Sequence, residues 1–398
     1  MKILHIHDDF IQHGGAEKYI QGLAECQKRK QHEVSIFSFS PGLDFENYYS
    51  FYREPSNRFS RLIESYIFSP SVYCSLKRQI NAIKPDIIHI HHNYKYPFSV
   101  LLACRNNNVV QTVHDFGIVC FTSWYVDKKY FKVCGGINFD CVKNGCISLK
   151  AFLLKSVLYG IRCFLVNKSV NKLIAPSKCL KEKLELYGFK NVVNLPNFSV
   201  YEIQNKPNEL PSDEQDYSIL SIGRLQAEKG IYYLIQAMPN VLTNFPTAKL
   251  HLIGSGPEEK ELKLQVKRLK IEENVIFHGF VSQNEVHEAY NAASLVVVPS
   301  IWMENSPLVV YESMAYGKPV IGSNIGGIPD LITDGESGFL VEPQNSDQIA
   351  ERIIYLLSND DLRRNFGNNA ISLLHKNFTL ESHVEKLERI YESLLAKR

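Results

Sequence analysis

Two cations and two carboxylates in the second half of this 398-residue chain stand where they could grip an anionic, hydroxyl-rich ligand. The stretch Gly223-Arg224-Leu225-Gln226-Ala227-Glu228-Lys229-Gly230 separates a short apolar run from a helical pattern beginning near Ile231. A strand-to-helix turn of this kind offers backbone N–H groups and the positive end of a helix dipole. Arg224 and Lys229 add charge, so the turn reads as a phosphate site. Taken alone, the same residues would equally suit solvated charges on a loop. Further on, the run from Pro299 to Glu312 puts Glu304 in a loop, Pro307 in the first turn of a helix and Glu312 about a turn and a half along it. Carboxylates accept paired hydroxyls well, so one acid could hold a sugar and the other a ribose. Trp302, Pro307 and the aliphatic residues around them argue that this loop is buried rather than an exposed charged helix end.

Other turns recur beside these. Gly254-Ser255-Gly256-Pro257 follows an apolar run, and its glycines permit close backbone approach; Pro257 and Glu258 stand where a dinucleotide fingerprint needs its third glycine. His278-Gly279-Phe280-Val281 closes another run, and three such turns suit a nucleotide lying across strand ends. In the first half, Gly14-Gly15-Ala16-Glu17 opens a helix after the first apolar run, a second anion-tolerant turn. His114-Asp115 ends another run, but a histidine at a strand end is ordinarily structural, and His89, His91 and His92 carry no more information.

The elements that must position these groups are short apolar runs alternating with helical patterns, the sequence of a parallel sheet buried on both faces. Expected strands are Lys2–His7, Glu33–Phe39, Ile87–His91, Val109–Val113, Lys172–Ala175 and Asn191–Leu195 in the first half. In the second they are Ser218–Ile222, Lys249–Ile253, Val275–His278, Leu295–Pro299, Pro319–Gly322 and Gly338–Val341. Expected helices include Ala16–Lys28, Val72–Ile83, Ser177–Leu186 with Ser177 as N-cap, and a closing Glu381–Leu395. The polar, proline-bearing stretch Tyr201–Asp213 reads as a linker. Two α/β domains are therefore expected, residues 1–198 and 199–379, with the helix of residues 380–398 packing back on the first.

Net charge is +2, but the halves differ in sign: residues 1–200 hold 26 Lys and Arg against 15 Asp and Glu, and the remainder 18 against 27. An apolar content of 45% without biased repeats excludes a disordered or collagenous chain. The N-terminus meets Asp8 before any apolar run has formed, unlike a secretory signal, and predicts a cytoplasmic protein. All nine cysteines lie between Cys26 and Cys179, which fits reduced thiols. Cys120, Cys134, Cys141 and Cys146 lack the tight pairing zinc prefers and read as small buried hydrophobes, with metal binding or pairing left open. The lipid-like segment Ala151–Val166 is too short and too charged to span a bilayer, yet it could lie against one.

Taken in order, Gly223-Arg224 with Glu228-Lys229-Gly230, Gly254-Ser255-Gly256, His278-Gly279-Phe280, the Glu304 and Glu312 pair, Ala315-Tyr316-Gly317-Lys318-Pro319-Val320, Gly326-Gly327-Ile328-Pro329-Asp330 and Gly335-Glu336-Ser337-Gly338-Phe339-Leu340-Val341 resemble the donor domain of retaining glycosyltransferase family 4, also called glycosyl transferases group 1. The resemblance covers nearly all of residues 216–345 and is that of the bacterial polysaccharide-biosynthesis type. It implies the GT-B architecture, two Rossmann-like domains with parallel sheets facing a central cleft. It also implies that Arg224 and Lys229 bind the pyrophosphate, Glu304 the donor sugar, Glu312 the ribose, the backbone of Asn305, Ser306, Pro307 and Leu308 the sugar, and the turn bearing Phe280 the base. Gly223, Gly254 and Gly256 belong to the same donor site. In the first half, Gly14, Gly15 and Glu17 match a segment facing donor phosphates and acceptor, His114 one beside the donor sugar, and Asn197 one entering the cleft. Many members have Glu-Gly-Phe-Gly where this chain has Glu304-Asn305-Ser306-Pro307.

The resemblance implies a hexosyl-type transferase acting from a UDP- or GDP-sugar on a saccharide acceptor, one that is lipid-linked in capsule, O-antigen, lipopolysaccharide or exopolysaccharide synthesis. None of the 14 Asp residues lies two positions from another, so no Asp-x-Asp metal motif is present, and Arg224 with Lys229 are expected to stabilise the departing diphosphate without a metal or cofactor. His114 and Glu304 would orient the sugar. The basic first half, with Phe59, Ile63, Tyr66, Ile67, Phe68 and Phe152–Val166, suits an anionic inner-membrane surface or a lipid diphosphate, or else a basic solvated face over an ordinary core. No nucleic-acid partner is expected. A GT-B enzyme of another reaction, such as a nucleotide-sugar epimerase, and a catalytically silent nucleotide-sugar-binding partner are the competing readings.

Overall fold

The structure is a computed structural model that describes residues 1–8, 10, 15–40, 45–51, 68–123, 125–127, 129, 132–201 and 217–396. Gly14, Phe59, Ile63, Tyr66, Ile67 and residues 202–213 of the expected linker lie outside the described residues. Met1–Asn197 with Leu380–Arg398 make one compact unit and Phe198–Thr379 the other.

The first unit holds β1 (Lys2–His7), β2 (Glu33–Ser38), β3 (Tyr48–Ser50), β4 (Ile87–Ile90), β5 (Val109–Thr112), β6 (Lys172–Ala175) and β7 (Val192–Asn194). They form one parallel sheet in the order β3-β2-β1-β4-β5-β6-β7. Its helices are α1 (Gly15–Arg29), α2 (Pro70–Ile83), α3 (Pro97–Cys104), the short α4 (Asp140–Lys143), α5 (Leu149–Ser169) and α6 (Lys178–Leu186). The second unit repeats the plan with β8 (Ser218–Ile222), β9 (Lys249–Ile253), β10 (Val275–Gly279), β11 (Leu295–Val298), β12 (Val320–Ser323) and β13 (Gly338–Val341). The order is β10-β9-β8-β11-β12-β13, again all parallel. Helices α7 (Ile231–Asn244), α8 (Glu259–Leu269), α9 (Gln283–Ala292), α10 (Leu308–Ala315), α11 (Ser346–Leu357) and α12 (Asp360–Asn377) accompany it, and α13 (Leu380–Leu395) returns to the first unit.

In each sheet the chain starts at the middle, runs to one edge, and returns to the other side of its first strand. The crevice at the carboxyl ends of β1 and β4, and of β8 and β11, is therefore a topological switch point, where α/β sheets bind ligands. Central strands such as Ile87–Ile90, Leu295–Val298 and Val320–Ser323 are buried at every position, which is why they are mostly apolar, and Leu295–Val298 is an unbroken aliphatic run. The edge strand Tyr48–Ser50 is partly exposed and only three residues long, and it carries no such signal. The second core gathers Leu234, Ile235 and Met238 of α7, Leu250 and Leu252 of β9, Val297 of β11 and Ile353 of α11.

Prolines account for two departures from the expected helix starts. Helix α2 begins at Pro70 rather than Val72, because Ser69 caps it, accepting from the Val72 N–H at 3.5 Å, and proline suits the first turn. Pro307 is the N-cap of α10, not a residue of its first turn. The lipid-like segment is the interior of α5, and no helix among the described residues is long and apolar enough to cross a membrane.

Helix α13 is tied to the first unit by buried polar bonds. The Tyr391 hydroxyl and His89 Nδ1 are 2.7 Å apart, the Tyr19 hydroxyl donates to His383 Nε2 at 2.7 Å, and His383 Nδ1–H donates to the Pro196 carbonyl at 2.8 Å. Tyr391→Phe removes one of these partners from a sealed imidazole. The expected result is a loss of about 1–3 kcal/mol from the unfolding transition of the first unit, read by calorimetry. An unchanged transition would show that the Tyr391–His89 bond contributes nothing to holding the helix.

Candidate functional site

The loops after β8 and β11 are locked together by backbone. The Ile301 N–H donates to the Glu228 carbonyl at 2.9 Å, and Gly230, at φ 68°, is so close to Pro299 that a Cβ there would lie 2.0 Å from its carbonyl oxygen. This zipping brings Lys229 onto Glu304: Lys229 Nζ donates to Glu304 Oε1 at 2.6 Å, and Ser300 Oγ donates to the same oxygen at 2.7 Å. From the other side the turn after β12 presses on Glu304. The Gly327 N–H donates to the Glu304 carbonyl at 2.7 Å, and a Cβ on Gly326, at φ 63°, would lie 2.2 Å from that carbonyl oxygen. Glu304 is 5% exposed. Burial alone would raise its carboxyl, but the charge and hydrogen bond of Lys229, with Ser300, hold it below the ordinary carboxylate range. The Lys229 ammonium lies 5.1 Å from the Trp302 ring centroid.

Around this pair the expected donor residues take different positions. Arg224 is exposed on the turn beside Gly223. Asn305 is buried, the Ser306 and Tyr311 hydroxyls share a hydrogen bond of 2.7 Å, and Leu308 begins α10 directly after Pro307. Glu312 is buried, with the Tyr290 hydroxyl donating to its Oε2 at 2.8 Å. Phe280 is 90% exposed at the end of β10, a free aromatic face. The glycines of Gly254-Ser255-Gly256 answer to their own chain. Cβ atoms on Gly254 and Gly256 would lie 2.0 and 2.2 Å from the Gly223 and Leu225 carbonyl oxygens, so these glycines let two loops stack backbone on backbone.

The first unit builds its switch point from histidines. His7 Nε2 and Glu17 Oε1 are 3.1 Å apart, joining the end of β1 to the start of α1, where Gly15 is exposed. Burial raises the Glu17 carboxyl most, but the His7 hydrogen bond, a backbone hydrogen bond and the neighbouring His7 and His92 together hold the group low. Behind this pair runs a chain of rings: Gln27 Oε1 to His5 Nε2 at 2.8 Å, His5 Nδ1 to His91 Nε2 at 3.0 Å, His91 Nδ1 to His114 Nε2 at 3.2 Å. Burial pushes His5 down to about 4 against its Gln27 bond, and burial followed by neighbouring imidazoles holds His91 and His114 well below their ordinary value. These rings are neutral at pH 7. A neutral ring has one N–H and one lone pair. The Gln27 carbonyl oxygen therefore makes His5 Nε2 a donor, His91 Nε2 donates to His5, and His114 Nε2 donates to His91. That leaves the lone pair on His114 Nδ1 at the open end of this chain. His89, His91 and His92, uninformative in sequence, thus belong to the assembly that orients His114; the signal was their alternation along one strand end.

Two groups of side chains have the donor set of a cation site. Ligand atoms of His5, His89 and His91 lie within 4.8 Å of one another, as do those of His7, Glu17 and His92. The first group is committed to the hydrogen bonds above and to Thr112, which lies 2.8 Å from His89 Nε2. In the second, His7 Nδ1 and His92 Nε2 are buried and make no hydrogen bond. Asn197 is buried at the end of this unit. All nine cysteines are free; Cys120, Cys134, Cys141 and Cys146 are half-buried rather than buried and line one pocket with Tyr125. Burial, then the neighbouring thiols, push Cys134 up to about 12, so it is protonated.

Comparison with known proteins places this geometry. Residues 202–373 match the family model of glycosyl transferases group 1, and residues 13–198 that of glycosyltransferase family 4. The chain is 31% identical over 317 residues, 78% of its length and 75% of the relative's, to the N-acetyl-alpha-D-glucosaminyl L-malate synthase of Bacillus anthracis. It is 23% identical over 389 residues, 96% of its length and 93% of the relative's, to the phosphatidyl-myo-inositol mannosyltransferase of Mycobacterium leprae. Among solved structures, the Anabaena protein HepE in complex with UDP is similar in fold, with a TM-score of 0.73 at 20% identity, covering 99% of this chain and 100% of that one.

Two outcomes follow from the geometry. Gly326→Ala drives a Cβ into the Glu304 backbone and should cost about 1–3 kcal/mol of stability while lowering turnover on the order of 100-fold. Gly335→Ala, at φ 76° with nothing within 4 Å, should cost stability without the loss of turnover. Equal turnover losses in both would sever the link to Glu304. The histidines make the first unit acid-labile. Between about pH 6.5, where an unfolded histidine takes a proton, and about pH 4, where His5 and His383 do so in the fold, the unfolded state holds more protons. Stability must then fall as pH is lowered through that window, by on the order of 3 kcal/mol for each of these two rings. Melting temperature measured from pH 7 to 4.5 reads it, and a flat profile contradicts neutral burial.

Proposed function

The chain belongs to the family 4 glycosyltransferases, sugar-transferring enzymes of the GT-B fold, and from that premise we propose that it moves a sugar from a UDP- or GDP-sugar to a saccharide acceptor, retaining anomeric configuration and needing no metal. The observation that carries this reading is the buried Glu304 carboxylate held by Lys229. Cleaving a sugar–diphosphate bond leaves negative charge on the departing oxygen, and preorganised cations stabilise it. Lys229, fixed by Glu304, and Arg224 supply them, with the α7 N-terminus behind.

In this mechanism Glu304 accepts hydroxyls of the donor sugar, Glu312 the ribose hydroxyls, and Phe280 lies by the base. The backbone of Asn305, Ser306, Pro307 and Leu308 lines the sugar. The acceptor hydroxyl attacks on the face the diphosphate leaves, passing its proton to a phosphate oxygen. The first unit binds the acceptor: Gly15 and Glu17 face the donor phosphates and the acceptor, and His114 lies beside the donor sugar. Support for a uridine nucleotide comes from the UDP in the similar Anabaena structure, and for a lipid-linked acceptor in cell-surface polysaccharide synthesis from the phosphatidyl-myo-inositol in the mycobacterial relative's name. Such an acceptor places the enzyme in the cytoplasm, at the inner face of the membrane.

Lys229→Ala leaves a buried carboxylate unpaired and destabilises the fold as well, so Glu304→Gln, nearly the same shape, is the cleaner test. It should lower kcat about 100- to 1,000-fold with melting temperature little changed. Unchanged turnover removes Glu304 from the mechanism. UDP or GDP at 100 times its dissociation constant should raise stability by about 2.7 kcal/mol, identifying the base. Turnover should survive EDTA; loss of activity restored by a divalent ion would overturn the metal-free reading and point to His7, Glu17 and His92.

A further inference from the structure

Helix α5 is mostly apolar, and apolar side chains in a helix are normally enclosed. Of its 21 residues only Val166 and Ser169 are buried. One side is docked: Arg162 donates to the Asn93 carbonyl at 3.3 Å and stacks over Tyr94, and the Tyr159 and Tyr187 rings meet at 5.9 Å. The opposite side is a stripe in open solvent, with Leu153 61%, Leu154 60%, Val157 65% and Phe164 62% exposed, Leu149 and Ile161 completing the i, i+4 row. Phe139, exposed and in ring contact with Phe152, extends it at the N-terminal end. An uncovered patch of this extent marks a binding surface.

We propose that the outward stripe of α5 lies flat in the interface of an anionic lipid bilayer. The stripe runs the length of a helix roughly 30 Å long, parallel to the surface it would enter. Its ends carry the exposed Lys150 and Lys168, on the same face, and the helix has four cations and no acid. Lysines at both ends of an inserted apolar row reach back to headgroup phosphates. A second copy of the chain fits worse: whether two such stripes meet parallel or antiparallel, Lys150 and Lys168 face each other's like charges, and the helix has no carboxylate to pair them. The inference stands apart from the transfer reaction, since it rests on no residue of the donor site.

The test is flotation of the purified full chain with liposomes of phosphatidylglycerol and phosphatidylethanolamine, or of phosphatidylcholine alone. The wild type should float with the anionic vesicles and much less with the neutral ones. The triple variant Leu153→Ser, Val157→Ser, Phe164→Ser, altered only at exposed positions, should keep its circular dichroism and melting temperature while the bound fraction falls about tenfold or more. Lys150→Glu with Lys168→Glu should weaken anionic binding alone. A wild type that does not float, or a triple variant that floats equally well, overturns the proposal. So does a dimer, seen by light scattering, that the triple variant dissolves, because the stripe would then be a self-association surface.

Discussion

A carboxylate as deeply buried as Glu304 persists in its charged form only because a cation reaches it, and the second unit is arranged around that requirement. Desolvating an ion costs several kcal/mol, offset only by close and well-directed partners. Lys229 and Ser300 both donate to Oε1, but neither would be in place without the backbone that carries them. Lys229 is delivered by a turn pressed against Pro299, and Glu304 by a loop clamped from the far side by Gly326 and Gly327. At both contacts a side chain on the glycine would collide with a carbonyl oxygen. The glycine pattern is thus the means by which three loops approach closely enough to set one ion pair.

The first unit meets the same topological demand with neutral groups. Its switch point is lined by imidazoles that burial keeps uncharged, ordered by a hydrogen-bonded chain whose direction starts at Gln27. A neutral network avoids the desolvation of charge but depends on every ring keeping one donor and one acceptor, so a single protonation breaks it. The ion pair behaves oppositely, since its carboxyl is already held low by Lys229. As pH falls the histidine scaffold therefore gives way before the Lys229–Glu304 pair does.

Most of the strands were legible because buried parallel strands are written as uninterrupted aliphatic runs, as in Leu295–Val298. Tyr48–Ser50 was not, because an edge strand of three half-exposed residues has no period to detect. The motif residues around Lys229 and Glu304 were legible as a set, and their types reported the chemistry. Their mutual geometry was not, since nothing in a linear sequence says that Gly254 faces Gly223 rather than a phosphate, or that Gly326 abuts Glu304. The histidine relay was not legible for a related reason. A ring looks the same in sequence whether it stands alone or forms one link of a relay, and the relay draws its members from three strands and a helix. Helix α5 was visible as apolar, but which side the fold covers depends on Asn93 and Tyr94, far away in the chain.

The charge asymmetry of the two halves gains a physical meaning at this level. The second half is net acidic, yet the two cations of the proposed diphosphate site, Lys229 and Arg224, differ in kind. Lys229 has three donor hydrogens and gives one to Glu304, so it can hold an arriving phosphate without releasing its carboxylate. Its position costs no reorganisation when charge develops, which is the condition for strong electrostatic stabilisation. Arg224 is exposed and offers a planar fork matched to phosphate oxygens, but it must be ordered by the ligand it binds. On the proposed mechanism the fixed cation suits the charge that appears during bond cleavage, and the exposed one the capture of the diphosphate beforehand. A weak bulk field of the wrong sign does not prevent either, because at hydrogen-bond distance a placed charge outweighs distant ones that the solvent screens.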